Sequence, residues 1–220
     1  MSQASSPLTE QAIRTAVVSR LRAKAHSRDL IVEELGVGSA RVDLAWINEY
    51  LMGFEIKSDY DTLDRLARQM HAYHSVFDTL TIVTTSAYVS QVEALLPPWW
   101  GIWQAQYDSK GRVVLHEHRA AVKHDRQDSA SLAAMLWRDE AYTFVVEELG
   151  PVVRARATRG ELQEIMASQI PLANIHERVL CALRQRDVLK PRSHVAGQKL
   201  PDSKDNVVAR RIATPSREIA

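Results

Sequence analysis

The chain has 220 residues, 45% hydrophobic and 25% charged, a composition that supports a buried core and excludes a disordered polymer. Lysine and arginine total 28 against 27 aspartates and glutamates, so the formal net charge is +1. That balance excludes attachment to nucleic acid by bulk charge, though not through a local basic surface.

Met1–Glu10 lacks a basic-then-apolar signal pattern, and no apolar run approaches the ~20 residues of a bilayer span, so the expected location is the cytoplasm, with no membrane partner. Thr9 reads as a helix N-cap with Glu10 in the first turn, and Ile13, Ala16, Val17 and Leu21 follow at helical spacing, which predicts a helix over 10–25. Arg14, Arg20, Arg22 and Lys24 are expected on its outer face. Leu30–Leu35 reads as a first strand broken by Gly36-Val37-Gly38-Ser39, Arg41–Ile47 as a second, and Leu51–Lys57 as a third after the turn Asn48-Glu49-Tyr50. If that turn closes an antiparallel hairpin, Ile47 faces Leu51, and counting back sets Asp43 opposite Glu55. Asp61 is expected to cap an amphipathic helix over 62–75 with Leu63, Leu66, Met70 and Tyr73 along one side. Leu80–Thr84 has a near-continuous apolar run, which reads as a buried strand open to parallel pairing. Val89–Leu96 predicts a short helix ended by Pro97-Pro98, and Arg112–Arg119 an edge strand.

From Ser129 the period is helical throughout. Leu132, Met135, Leu136 and Phe144–Val146 lie in one helix or two ending at Gly150-Pro151, and Glu161–Gln169 and Leu172–Arg186 form a pair broken at Pro171. After about residue 190 periodicity is lost, and from Arg184 onward nine lysines and arginines face four acids, a basic stretch expected to be disordered. The reading is an α/β domain over 9–125, a helical extension over 126–190 and a basic tail over 191–220.

The chemistry concentrates between Arg41 and Tyr73. Side chains alternate along a strand, so Phe54 and Ile56 point one way and Glu55 and Lys57 the other, while Val42, Leu44 and Trp46 oppose Asp43. The hairpin therefore gathers Asp43, Glu55 and Lys57 on one face. Two carboxylates and an ammonium so placed suit a divalent-metal phosphodiesterase: oxygen ligands hold Mg²⁺ or Mn²⁺, the ion acidifies a water, and lysine orients that water or offsets developing charge.

Asp43, eleven intervening residues, then Glu55-Ile56-Lys57 resembles the D…(D/E)xK signature of the PD-(D/E)xK nuclease superfamily. The order of elements resembles its restriction-endonuclease-like αβββαβ core, a mixed sheet flanked by helices. Gln69-Met70-His71-Ala72-Tyr73 resembles the Q-x-x-x-Y element of its RecB-like members. More closely, Arg41-Val42-Asp43, Phe54–Asp59, Asp61-Thr62-Leu63 with Arg65-Leu66, and Pro98-Trp99-Trp100-Gly101 resemble an uncharacterised bacterial branch, the sce7726-like proteins. The resemblance implies a nuclease acting on DNA more readily than RNA, with Asp43, Glu55, Lys57 and Gln69 catalytic, and Asp43, Glu55 and Glu10 holding the metal. Tyr73 and Glu34 would support the site, with Glu33 or Glu34 competing for the part of Glu10, and Arg41 and Arg65 would contact nucleic acid. Val42 stands where some members carry proline.

Two alternatives belong to other classes: a catalytically silent nucleic-acid-binding module of the same fold, and an interaction protein, or homo-oligomer, working through an exposed apolar stripe on residues 130–186. The pairs His71/His74 and His116/His118 lack a third zinc ligand and read as surface or packing residues. Trp99, Trp100 and Trp103 read as loop-to-core fasteners, Cys181 as a core residue, and Ser58, Asp59 and Asp61 as caps. Cys181 is the sole cysteine, so an intramolecular disulfide and a four-cysteine zinc site are excluded. No nucleophile elbow or phosphate-cradling glycine loop is present.

Overall fold

Thr9 starts the first helix, its hydroxyl accepting the Ala12 N–H, and α1 covers Glu10–Arg22 in the computed structural model, which describes residues 6–151 and 153–189. There follow β1 (Leu30–Val37), β2 (Ala40–Ile47), β3 (Leu51–Lys57), α2 (Leu66–His74), β4 (Thr79–Thr85), α3 (Val89–Leu95), β5 (Gly101–Tyr107) and β6 (Val113–Arg119). Four helices complete the described chain: α4 (Ser129–Ala133), α5 (Arg138–Leu149), α6 (Arg159–Gln169) and α7 (Leu172–Leu189). The six strands form one mixed sheet in sequence order. β1, β2 and β3 run antiparallel, β3, β4 and β5 run parallel through the crossovers carrying α2 and α3, and β6 returns antiparallel at the edge.

The sheet is covered on both faces, and β4 is accordingly buried along nearly its whole length. On one face Ile13, Val17 and Leu21 of α1 pack on Leu44, Phe54, Ile56 and Val83. On the other, α2 and the C-terminal helices share one buried cluster with Ala45, Ile47, Leu80, Ile82 and Ile102. Leu132, Leu162, Met166, Ile175 and Leu183 all belong to it, so the helical part and the sheet are built on a common core. The described residues form one compact unit. The expected basic tail, 191–220, lies outside the described residues.

Several expectations are corrected. α1 stops at Arg22, and Arg14 lies buried rather than outward, with 6% of its surface exposed. α2 begins at Leu66, because Asp61 spends its carboxylate on the Ser58 N–H and hydroxyl and closes a turn there. β5 was not expected as a strand. It starts directly at Gly101, where an added Cβ would lie 2.9 Å from the Ala121 backbone nitrogen and 2.8 Å from the Thr81 hydroxyl oxygen. Cys181 is exposed while its neighbours Leu180 and Ala182 are buried. Val42 packs with Ala45 and Ile47, not with Leu44 and Trp46, so alternation breaks at Asp43. Among the described residues no helix is long and apolar enough to cross a membrane.

Candidate metal centre

The break at Asp43 has a counterpart on β1. The β1–β2 ladder pairs Glu33 with Leu44 and Leu35 with Val42, passing over Glu34 and Asp43, and Glu34 adopts a left-handed backbone with φ of 57°. A non-glycine residue in that region is strained, and strain of this kind collects at functional sites. The β2–β3 ladder runs in the expected register from Ile47↔Leu51 to Leu44↔Phe54 and stops before the expected pairing of Asp43 with Glu55. There the ladder yields to a side chain: Asp43 Oδ2 accepts the Ile56 N–H at 2.6 Å.

Glu55 and Lys57 face α2, as alternation requires. Both are buried, and Lys57 Nζ donates to Glu55 Oε1 at 2.8 Å. Gln69 and Tyr73, one helical turn apart on α2, grip the same carboxylate: Gln69 Nε2 donates to Glu55 Oε1 at 2.8 Å, and the Tyr73 hydroxyl lies 2.9 Å from Glu55 Oε2. That hydroxyl also reaches the Arg41 carbonyl at 2.7 Å, so two acceptors share its one proton. Burial, followed by the charge of Glu55, pushes the Tyr73 hydroxyl's pKa far up, fixing it as a neutral donor.

Asp43 is close enough to Glu55 for their charges to interact. Burial first, and the Glu55 charge second, raise its pKa to about 7, against the opposing pull of the Ile56 N–H and Arg14. Its remaining contacts point toward α1. Arg14 Nη1 donates to the Asp43 carbonyl at 2.9 Å, and Arg14 Nη2 lies 3.2 Å from Asp43 Oδ1, 2.5 Å from Glu10 Oε1 and 2.7 Å from Glu34 Oε1. Glu10, Glu34 and Asp43 each offer an oxygen within 4.8 Å of the others. Glu33 stays at the margin, 3.7 Å from Arg14 Nη1. Burial opposes the charge on Arg14, but the hydrogen bonds to Glu10 and Glu34 and the charge of Asp43 outweigh it and raise its pKa.

The expected residues therefore fall into two adjoining groups: Glu55, Lys57, Gln69 and Tyr73 beneath α2, and Asp43, Glu10 and Glu34 around Arg14. Arg41 is exposed and pairs with Glu34 Oε2 at 2.8 Å, and Arg65 is exposed at the start of α2. The residue that sequence reasoning missed is Arg14. Its signal was the Glu10–Arg14 spacing of four, next to the apolar stripe of Ile13, Val17 and Leu21.

The donor set is all oxygen, as a hard divalent ion requires. Asp43 and Glu55 bring two negative charges into a buried region, and Gln69 Oε1 is buried with no hydrogen-bond partner among the described residues. An acceptor without a donor beside the Glu55 carboxylate fits a cation. A cavity of about 930 Å³ lies elsewhere, at the β2–β3 turn among Asp29, Asn48, Tyr50 and Arg184. The other candidate ligands serve packing or surface roles: Trp100 Nε1 donates to His74 Nε2 at 2.9 Å, His71 is exposed, His116 contacts Gln106, and His118 contacts Glu93. Trp100 and Trp103 are buried, as expected of fasteners.

A family model described as Bacteriophage P4 protein cII matches residues 3–199. Protein cII of Enterobacteria phage P4 is 28% identical over 184 residues, spanning 81% of this chain and 68% of that protein. Among solved structures, the SPO1766 protein of unknown function from Silicibacter pomeroyi is similar over 87% of this chain and 98% of its own, at 16% identity and a TM-score of 0.41.

Proposed function

Taking as premise that the chain belongs to the bacteriophage P4 protein cII family, we propose that it is a Mg²⁺- or Mn²⁺-dependent nuclease hydrolysing nucleic-acid phosphodiesters, DNA more readily than RNA. The observation that carries this reading is Asp43 near Glu55, with Glu55 and Lys57 buried and paired at the end of β3, in the spacing of the PD-(D/E)xK signature. Burying like charges together costs stability, and such arrangements concentrate at catalytic sites. The order α1-β1-β2-β3-α2-β4 supports the same superfamily reading.

Asp43 and Glu55 are the proposed ligands, with Glu10 beside them and Glu34 in support. An ion bound there would acidify a water and offset charge on the transferring phosphoryl group. The chain's own residues do the rest. Gln69 and Tyr73 fix the Glu55 carboxylate in one orientation, and Lys57, held by Glu55, keeps N–H groups free to orient the attacking water or meet a phosphate oxygen. Arg41 and Arg65 offer exposed phosphate contacts.

The test incubates purified protein with plasmid and single-stranded DNA in Mg²⁺, Mn²⁺ or EDTA, beside Lys57→Ala. Metal-dependent cleavage lost in the variant is expected. Equal cleavage by both proteins, or none by either, would defeat the proposal.

A second reading, a silent nucleic-acid-binding module, is favoured by one observation: a guanidinium already sits among Glu10, Glu34 and Asp43. It predicts salt-sensitive binding that Lys57→Ala leaves unchanged. The interaction-protein reading has less support, because the apolar positions of residues 130–186 are largely used against the sheet; Trp137 and Leu172 are the large hydrophobics exposed there among the described residues.

A further inference from the structure

Arg14 is the least expected feature of the site, since a long cationic side chain is seldom this buried unless its partners demand it. Its Nη2 group has two hydrogens and faces three carboxylate oxygens, those of Glu10, Glu34 and Asp43. Two of those oxygens must therefore share one hydrogen, and the contact to Asp43, at 3.2 Å, is the longest of the three. A spherical divalent ion carries twice the charge and has no such limit on the number or direction of its oxygen partners. Arg14 also has somewhere to go. It borders a groove of about 340 Å³ shared with Gln11, Thr15, Arg22 and Glu33, and the Glu33 carboxylate already lies 3.7 Å from Nη1 on that side.

We propose that Arg14 is the resident cation of this site: its guanidinium and the divalent ion compete for Glu10, Glu34 and Asp43, so that loading the ion moves Arg14 off Asp43 into the groove beside Glu33. The proposal rests on the metal-dependent reading above and adds to it a positioning residue that sets metal affinity. Without the ion Arg14 keeps three carboxylates from repelling one another and holds Asp43 in place; with the ion present that task passes to the metal.

The test titrates Mn²⁺ into the full-length protein by calorimetry and follows thermal unfolding with and without Mn²⁺. Arg14→Gln should bind Mn²⁺ roughly tenfold more tightly than the wild type, as expected when a competing cation is removed. It should melt lower than the wild type in EDTA and recover on adding Mn²⁺. Arg14→Lys, which keeps the charge, should bind Mn²⁺ close to the wild-type level, which also guards against a glutamine variant that folds poorly. Adding Glu34→Gln to Arg14→Gln should weaken binding again, because Glu34 is then free to act as a ligand. Unchanged or weaker binding by a folded Arg14→Gln protein overturns the proposal, as does tighter binding that Glu34→Gln does not touch, since Arg14 would then act only as a distant charge. The metal reading fails separately, and this proposal with it, if the wild type binds no Mn²⁺ or if Asp43→Asn and Glu55→Gln leave binding intact.

Discussion

Glu34 shows how a single residue can carry opposing costs. Its left-handed backbone in a strand costs about 1 kcal/mol, and its carboxylate pairs with Arg14 at 2.7 Å and Arg41 at 2.8 Å. Those pairs are partly exposed, so each offsets only ~0–1 kcal/mol. Glu34→Gly and Glu34→Ala lose the same pairs, and only the glycine removes the strain. Glu34→Gly should therefore be the more stable of the two by about 1 kcal/mol in urea unfolding, reversing the usual preference for alanine over glycine within a strand. If alanine proves equal or better, the backbone there is unstrained and the carboxylate is held at no cost. The same neighbourhood marks what a sequence can disclose. Asp43, Glu55 and Lys57 were legible because strand alternation and a three-residue turn are local rules, and Gln69 with Tyr73 because a helix repeats every four residues. Arg14 was not legible. Its charge set it outward with Arg20 and Arg22, although helical spacing places it beside Val17 and Leu21, and only the carboxylates arriving from β1 and β2 make its burial possible.

At the scale of elements, the join between α2 and the start of β5 depends on one protonation state. His74 Nε2 accepts the Trp100 indole N–H at 2.9 Å, and its ring packs against Trp99 at 4.5 Å between centroids. Burial, then the charges of His124 and Arg126, lower its pKa from 6.5 to about 4. Because the folded value lies below the unfolded one, the neutral ring contributes stability in full above pH 6.5, and that contribution is lost as pH falls toward 4. His74→Gln, which keeps an acceptor for Trp100 but does not titrate, should melt with a flatter pH dependence across that window in calorimetry. A slope identical to wild type would mean that His124, whose pKa burial also lowers, carries the acid sensitivity instead. Strand β5 was hidden for a related reason. Pro97-Pro98-Trp99-Trp100-Gly101 has the composition of a loop, and the close approach of Thr81 and Ala121 that requires glycine at 101 is a tertiary fact. By contrast β4 announced itself, because burial on both faces leaves no polar alternation to confuse.

At the scale of the molecule, helical periodicity after Ser129 was plain in the sequence, but what the helices covered was not, and an extension separable from the sheet seemed natural. The common core argues against separability. Leu132, Leu136, Leu162, Met166, Ile175 and Leu183 are buried in the cluster that includes Leu80 and Ile82. At about 1.5–3 kcal/mol for each buried side chain, six of them contribute on the order of 10 kcal/mol, comparable with the whole stability of an ordinary domain. Polar ties cross the same boundary. The Asp78 carboxylate, 1% exposed, accepts the Leu51 N–H at 2.7 Å and meets His176 Nε2 at 2.7 Å, while Arg184 donates to the Asn48 carbonyl in the β2–β3 turn. Burial works against the charge on Asp78, but the His176 and Leu51 hydrogen bonds prevail and hold its pKa below the usual carboxylate range. A chain ending at residue 125 would strip His176 from that carboxylate and open the apolar face of the sheet to water. Expressed alone, it should bind a hydrophobic dye, lose the sharp thermal transition of the full chain and show a collapsed NMR amide spectrum. A cooperative transition near that of the full chain, with dispersed amides, would instead make α4–α7 an appendage and leave the β3 site to stand on the sheet and α1–α3 alone.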